Sequence, residues 1–180
     1  MRKIVTILCL LFLITSSMES GKSSHFAGPS YDTNAKMKAL YVYNFTKYID
    51  WPESYKQGNF IIGLLGETSI KQELDKVALT RKAVNQTIEV KQFASVDQID
   101  NCHMLYVSKE KSGEFNAAVQ KTKDKSTLVI TEENGFAQKG AGISFIVVES
   151  RQKFELSKLN IEKRDLKVGS QLISLAIVVD

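Results

Sequence analysis

Cysteine and histidine are scarce in this 180-residue chain, with two of each. Cys9 lies in an apolar N-terminal run, so the rest of the chain holds one cysteine, Cys102, and no intramolecular disulfide is available to it. No Cys/His cluster has zinc spacing, so no metal site is expected. Cys102 and His103 are adjacent, and in a strand they point to opposite faces, which rules out a direct nucleophile–base pair. His25 lies in a small, polar leader, and His103 opens an apolar segment as a packed strand residue. Asp32, Glu132 and Glu133 are carboxylates without a paired partner. No catalytic residue and no cofactor are assigned, and the chain is not read as an enzyme.

Long hydrophobic runs are missing too. "IVTILCLLFLI" (4–14) is about half of what a bilayer-spanning helix needs, so no stable membrane insertion is expected. It follows Met1, Arg2 and Lys3 and precedes "TSS", the three-part plan of a secretory signal peptide. The expected organisation is a cleaved signal at 1–20, a flexible leader at 21–32 that takes in most of "SGKSSHFAGPS" (20–30), and one α/β domain at 33–180, of a size that holds a normal core. Such a protein is exported, to a bacterial periplasm. Loss of Arg2 and Lys3 takes the basic count from 24 to 22 against 20 acidic residues. With that near balance, and no basic block interleaved with aromatics, nucleic acid is not a partner. "KTKDK" (121–125) reads as a solvated helix end.

The remaining chain alternates helices and strands. "YDTNAKMKALYVYNFTKYID" (31–50) opens on Asp32 and Thr33 and closes at Trp51–Pro52, as a helix stopped by proline. "NFIIGLLG" and "CHMLYVSK" are short continuous apolar runs, the pattern of buried strands. "SIKQELDKVAL" places Ile70, Leu74, Val77 and Ala78 on one helical face behind Ser69. "QTIEVKQFA" alternates as a half-buried strand does. A helix is expected near Ser112 to Lys121, a strand at "STLVITEE", and a hairpin at "ISFIVVESRQKFEL" with its turn near Glu149 to Gln152. "VGSQLISLAIVV" fits a buried helix or a strand, with Ser170 as a helix cap. The expected fold is a single-domain α/β sandwich, a mixed central sheet of about six strands flanked by helices on both faces. In "GLLGETS" Gly66 reads as a strand-to-helix turn, since the full phosphate-loop pattern is missing. Gly135, Gly140 and Gly142 are assigned to turns that need positive φ.

Aromatic residues crowd into "LYVYNFTKYIDWP" (40–52). At 100° per residue, Met37, Tyr41, Val42, Phe45, Tyr48 and Ile49 share one arc, an ordinary core stripe. Leu40, Tyr43 and Trp51 fall on the opposite side, among Lys36, Lys47 and Asp50. Either a second element covers that side, or Leu40, Tyr43, Lys47 and Trp51 form a lysine-rimmed patch that binds a partner. Trp51 has a third option, as a plug closing the helix end against the sheet.

The order "KALYVYNFTKYIDWP", "FIIGLLG", "CHMLYVS", "LVITEENGFAQKGAGISFIVVESRQKFEL" and "VGSQLISLA" resembles the YfiR family of exported bacterial proteins, over about residues 35 to 177. Its most specific parts are Tyr43-Asn44-Phe45, Lys47 and Trp51-Pro52. The loop and hairpin with Gly135, Phe136, Gly140, Gly142, Ile143 and Phe145 come next. The resemblance implies a periplasmic α/β sandwich without catalytic activity. It also implies a negative regulator that engages the periplasmic part of an inner-membrane signalling protein, a diguanylate cyclase in cyclic-di-GMP signalling, and a homodimer. A small-molecule sensor acting on a kinase or receptor is the alternative. Many members carry a cysteine at the position aligned with Gly63, able to pair with the one aligned with Cys102. Here that position is glycine, so a redox-responsive disulfide is not available, and Cys102 reads as a buried, inert thiol.

Overall fold

The computed structural model describes residues 33–180; the expected signal peptide and leader lie outside them. The chain runs α1 (Thr33–Tyr48), β1 (Ile49–Asp50), β2 (Phe60–Leu65), α2 (Ile70–Thr80), β3 (Lys82–Ala83), β4 (Gln86–Phe93), β5 (Met104–Val107), α3 (Phe115–Lys121), β6 (Leu128–Thr131), β7 (Ile143–Val148), β8 (Arg151–Leu156), α4 (Lys158–Glu162), β9 (Lys167–Val168), α5 (Ser170–Leu175) and β10 (Ile177–Val178). The single-domain α/β fold with a mixed sheet expected from the sequence is the observed architecture, with eight strands in place of about six because the two-residue strands β3 and β10 extend the edges. Its main sheet has the order β10-β8-β7-β6-β5-β2-β4-β3, and β1 pairs with β9 separately.

The middle of the sheet is parallel, with β4, β2, β5, β6 and β7 side by side in one direction. A parallel sheet covered on both faces needs strands that are apolar throughout, and β5 and β6 are buried at every residue. Alternate side chains then feed two cores. Ile62, Leu64, Met104, Tyr106, Leu128 and Ile130 meet α1 and α2 on one face. Leu65, Leu105, Val107 and Val129 meet Phe115 and Ala118 of α3 on the other. The hairpin β7–β8 closes as expected, through Glu149 (φ 50°) and Ser150 (φ 60°).

Several local expectations change. Helix α1 stops at Tyr48 rather than at Asp50, because Ile49 and Asp50 pair antiparallel with Val168 and Lys167. The tail is both candidates in turn, helix α5 followed by edge strand β10. Ser170 is the first residue of α5 and not its cap; Gly169 holds that position without a side-chain bond. Gly135 and Gly140 have positive φ, whereas Gly142 does not. Gly142 is required by packing instead, since a Cβ there would lie 2.7 Å from Leu128 Cδ1 and 2.9 Å from Ile161 Cγ1.

Candidate functional site

Helix α1 lies on the sheet with Val42 and Phe45 fully buried beneath it. Tyr41 and Phe45 pack against Phe154 at ring separations of 5.4 Å each, with Phe145 close by. Tyr41 and Phe45 are therefore part of the core packing. The residues on the other arc remain at the surface: Leu40 is 48 % exposed, Lys47 is exposed and Tyr43 is half-buried.

Trp51 leaves this arc. It is only 5 % exposed and belongs to the main core. The helical spacing that set it beside Tyr43 ends at Tyr48, and β1 carries the chain over the N-terminal edge of the sheet. There the indole packs edge-on to Phe60, with ring centroids 5.0 Å apart, and Nε1 donates to the carbonyl of His103 at 3.2 Å. The plug reading is the one that matches, and the placement of Trp51 on the exposed patch is corrected. The structure thus brings together Leu40, Tyr43 and Lys47, without Trp51.

In its place comes Arg81, which the sequence did not single out. Lys47 Nζ lies 4.5 Å from the centroid of the Tyr43 ring, and Arg81 Cζ lies 5.8 Å from it. Both separations fall within the range in which a cation is attracted to an aromatic face. No periodicity could have linked them, because Arg81 follows α2 and reaches Tyr43 only through the side-by-side packing of α1 and α2.

His103 is a structural residue. Its Nε2 donates to the carbonyl of Tyr55 at 2.7 Å, and its Nδ1 accepts from the Ile61 N–H at 3.0 Å. That pair of bonds fixes the neutral tautomer. Burial holds its pKa below the ordinary histidine value, against the opposing pull of the Tyr55 carbonyl. The ring also stacks on Phe60 at 4.3 Å. Cys102 is buried and reduced, and burial pushes its thiol up to about 12, so it holds almost no thiolate at neutral pH.

The turn after β2 has its own internal anion. Gly66 sits at φ 85°, and the Glu67 N–H donates to the Glu110 carboxylate at 2.6 Å. The position a bound phosphate would take on that N–H is held by a side chain of the same chain. Among the described residues no three His, Cys, Asp or Glu side chains cluster as a metal site would require, and no helix is long and apolar enough to cross a membrane. Beside the end of α1 lies a cleft of about 190 Å³, walled by Thr46, Ile49, Trp51, Phe60, Ala83 and Gln86.

Compared with known proteins, the chain matches the model of one domain family, DUF4154, described as YfiR/HmsC-like, over residues 35–177. No curated protein matches it in sequence.

Proposed function

The chain belongs to the YfiR/HmsC-like family, and from that membership we propose that it is an exported regulatory protein that binds an inner-membrane signalling enzyme from the periplasmic side and holds it inactive. The target class is a diguanylate cyclase. Regulation follows as a population shift: the bound protein favours the inactive enzyme, and its release restores cyclic-di-GMP synthesis. The surface that supports this reading is the outer face of α1, where Leu40 stays exposed beside Tyr43 and Lys47. An apolar and aromatic surface of this kind, rimmed by charge, suits a protein interface. Homodimerisation is part of the proposal, as an expectation carried by the family.

A photoreactive residue in place of Leu40, in native membranes, tests it, with one in place of the exposed Val147 on the β7–β8 hairpin for comparison. The expected outcome is a crosslink from Leu40 to an inner-membrane signalling protein. Crosslinks from Val147 alone would move the interface to the hairpin. No membrane protein captured from either site would overturn the sequestering reading.

The cleft at Trp51 supports a second reading, in which a small solute binds and its occupancy passes to the partner. A ligand that binds only the folded form raises the melting temperature. A metabolite screen with no such shift would remove this reading.

A further inference from the structure

Lys47 and Arg81 are set apart by where they point, not by lacking a carboxylate, which many basic residues of the chain also lack. Lys38, Lys56, Lys71, Lys76, Lys91, Lys111 and Lys158 each meet a carboxylate of the same chain. Among the described residues no carboxylate lies within 4.0 Å of Lys47 or Arg81, and the two converge on the ring of Tyr43. A cation on an aromatic face keeps its charge and its free N–H donors. Helix α1 contains no acidic residue to neutralise them.

Exposed apolar residues stand close by in the chain. Leu79 and Val84, which flank Arg81 in the chain, are 86 % and 76 % exposed, and Leu40 lies one helical turn from Tyr43. Val84 also holds φ 54° in the β3–β4 turn, a conformation that costs a β-branched residue energy.

We propose that the seam between α1 and α2, centred on Tyr43, receives an acidic segment of the partner protein, whose carboxylates meet Lys47 and Arg81 while its apolar side chains cover Leu40 and Leu79. This rests on the reading that the α1 face contacts a protein partner, and adds the chemistry of the segment it takes. Charge complementarity of this kind steers encounter and fixes register. A second copy of the chain is a poor occupant, because a two-fold interface sets the same patch against itself and would face cation with cation. An anionic membrane surface is a poor one too. Basic residues act on such a surface one by one and weakly, and here only two cations are present, both drawn down onto a ring.

The test uses the full chain in native membranes with the photoreactive residue at Leu40, in three backgrounds: otherwise unchanged, Lys47→Glu with Arg81→Glu, and Lys47→Arg. Mass spectrometry of the adduct identifies the captured peptide. An adduct peptide rich in Asp and Glu is expected, with a yield that falls about tenfold or more on double reversal, falls with added salt and survives Lys47→Arg. Both reversed side chains are at the surface, so the melting temperature of that variant should stay close to the unchanged protein's. A neutral or basic adduct peptide, or capture indifferent to the reversal, would overturn the acidic segment and leave the partner face standing. Phospholipid adducts or self-adducts would overturn it in favour of the membrane or a second copy. Capture from Val147 alone would remove the partner face, and this inference with it.

Discussion

Gly63 on β2 faces Cys102 at the head of β5: a Cβ placed on Gly63 would stand 3.4 Å from the Cys102 Sγ. Phe93 Cε2 would be closer still, at 2.7 Å, so the phenyl ring occupies the space a side chain at 63 would need. The two residues are thus set where a disulfide could bridge them, and the glycine leaves the thiol alone in the core. Gly63→Cys is expected to form that bridge once the Phe93 ring tilts aside. Closing a loop of this length stabilises by about 4 kcal/mol in the chain-entropy account, offset by about 1–3 kcal/mol for overpacking against Phe93. Thiol titration of the unfolded variant, and its melting temperature with and without reductant, check this. Two free thiols after air oxidation would show that the geometry does not permit the bond.

Without that partner, Cys102 should be chemically silent. Its thiol is raised from 9.0 to about 12 by burial. At pH 8 maleimide should leave the folded protein unmodified and label it fully in denaturant. The sign of the pH effect follows from the raised value: the neutral thiol is favoured in the fold, so its contribution is intact below pH 9 and is lost as the pH rises from 9 toward 12. Fast labelling of the native state at pH 8 would contradict this account.

His103 acts in the opposite pH range. Its depressed pKa means that the fold favours the neutral ring. The contribution is therefore complete above about pH 6.5, the unfolded value, and falls away as the pH drops through the lower folded value. Protonated Nδ1 would also point a proton at the Ile61 N–H, where it now accepts a bond. Denaturant unfolding between pH 7 and pH 5.5 should show stability falling on acidification in the unchanged protein, and a flatter profile in His103→Gln. Equal slopes in the two proteins would assign the pH dependence to other groups.

Much of this was readable from residue pattern, for identifiable reasons. Strands buried on both faces must be apolar throughout, so "FIIGLL", "MLYV" and "LVIT" were legible as strands without knowledge of their order. The two-residue strands β1, β3, β9 and β10 carry no pattern at all, and each exists only because a neighbour pairs with it. That is why Trp51 was misplaced: extending the helical period past Tyr48 sets it beside Tyr43, whereas pairing with β9 turns the chain into the core. Arg81 was illegible as a neighbour of Tyr43 because their contact depends on how two helices lie across one sheet. Gly142 was legible as important, but the crowding by Leu128 and Ile161 that requires it is a tertiary fact.

Arg164 should prove one of the costliest residues to replace outside the apolar core. It is buried, and its guanidinium donates to the carbonyls of Thr122 and Val119 and to Thr122 Oγ1, closing the C-terminal end of α3. Burial lowers its pKa from the usual arginine value, yet the group stays charged and complements the negative end of the helix. Arg164→Met removes the guanidinium from those carbonyls, leaving the Lys125 N–H on Thr122 and the Thr122 hydroxyl on Val119, a loss of about 1–3 kcal/mol in urea unfolding. Arg164→Lys should recover only part, since an ammonium cannot reach both carbonyls as the planar fork does. A loss under about 0.5 kcal/mol for Arg164→Met would mean that water replaces the guanidinium.

Trp51 and Leu40 provide the sharpest contrast between a core role and a surface role. Both fell on the same helical arc by sequence, yet one is 5 % and the other 48 % exposed. Trp51→Ala empties the space against Phe60 and leaves the His103 carbonyl without its indole donor; removing a buried aromatic costs about 3–5 kcal/mol. Leu40→Glu places a charge on a surface that already faces water, and should change stability by within about 0.5 kcal/mol. In membranes the order should invert: Leu40→Glu weakens partner capture while the domain stays folded, because it sets a like charge against an acidic segment and removes an apolar contact. Urea unfolding of the two variants, paired with crosslinking of Leu40→Glu through a photoreactive residue at Leu79, separates the roles. Unimpaired capture by Leu40→Glu would show that the exposed leucine lies outside the interface.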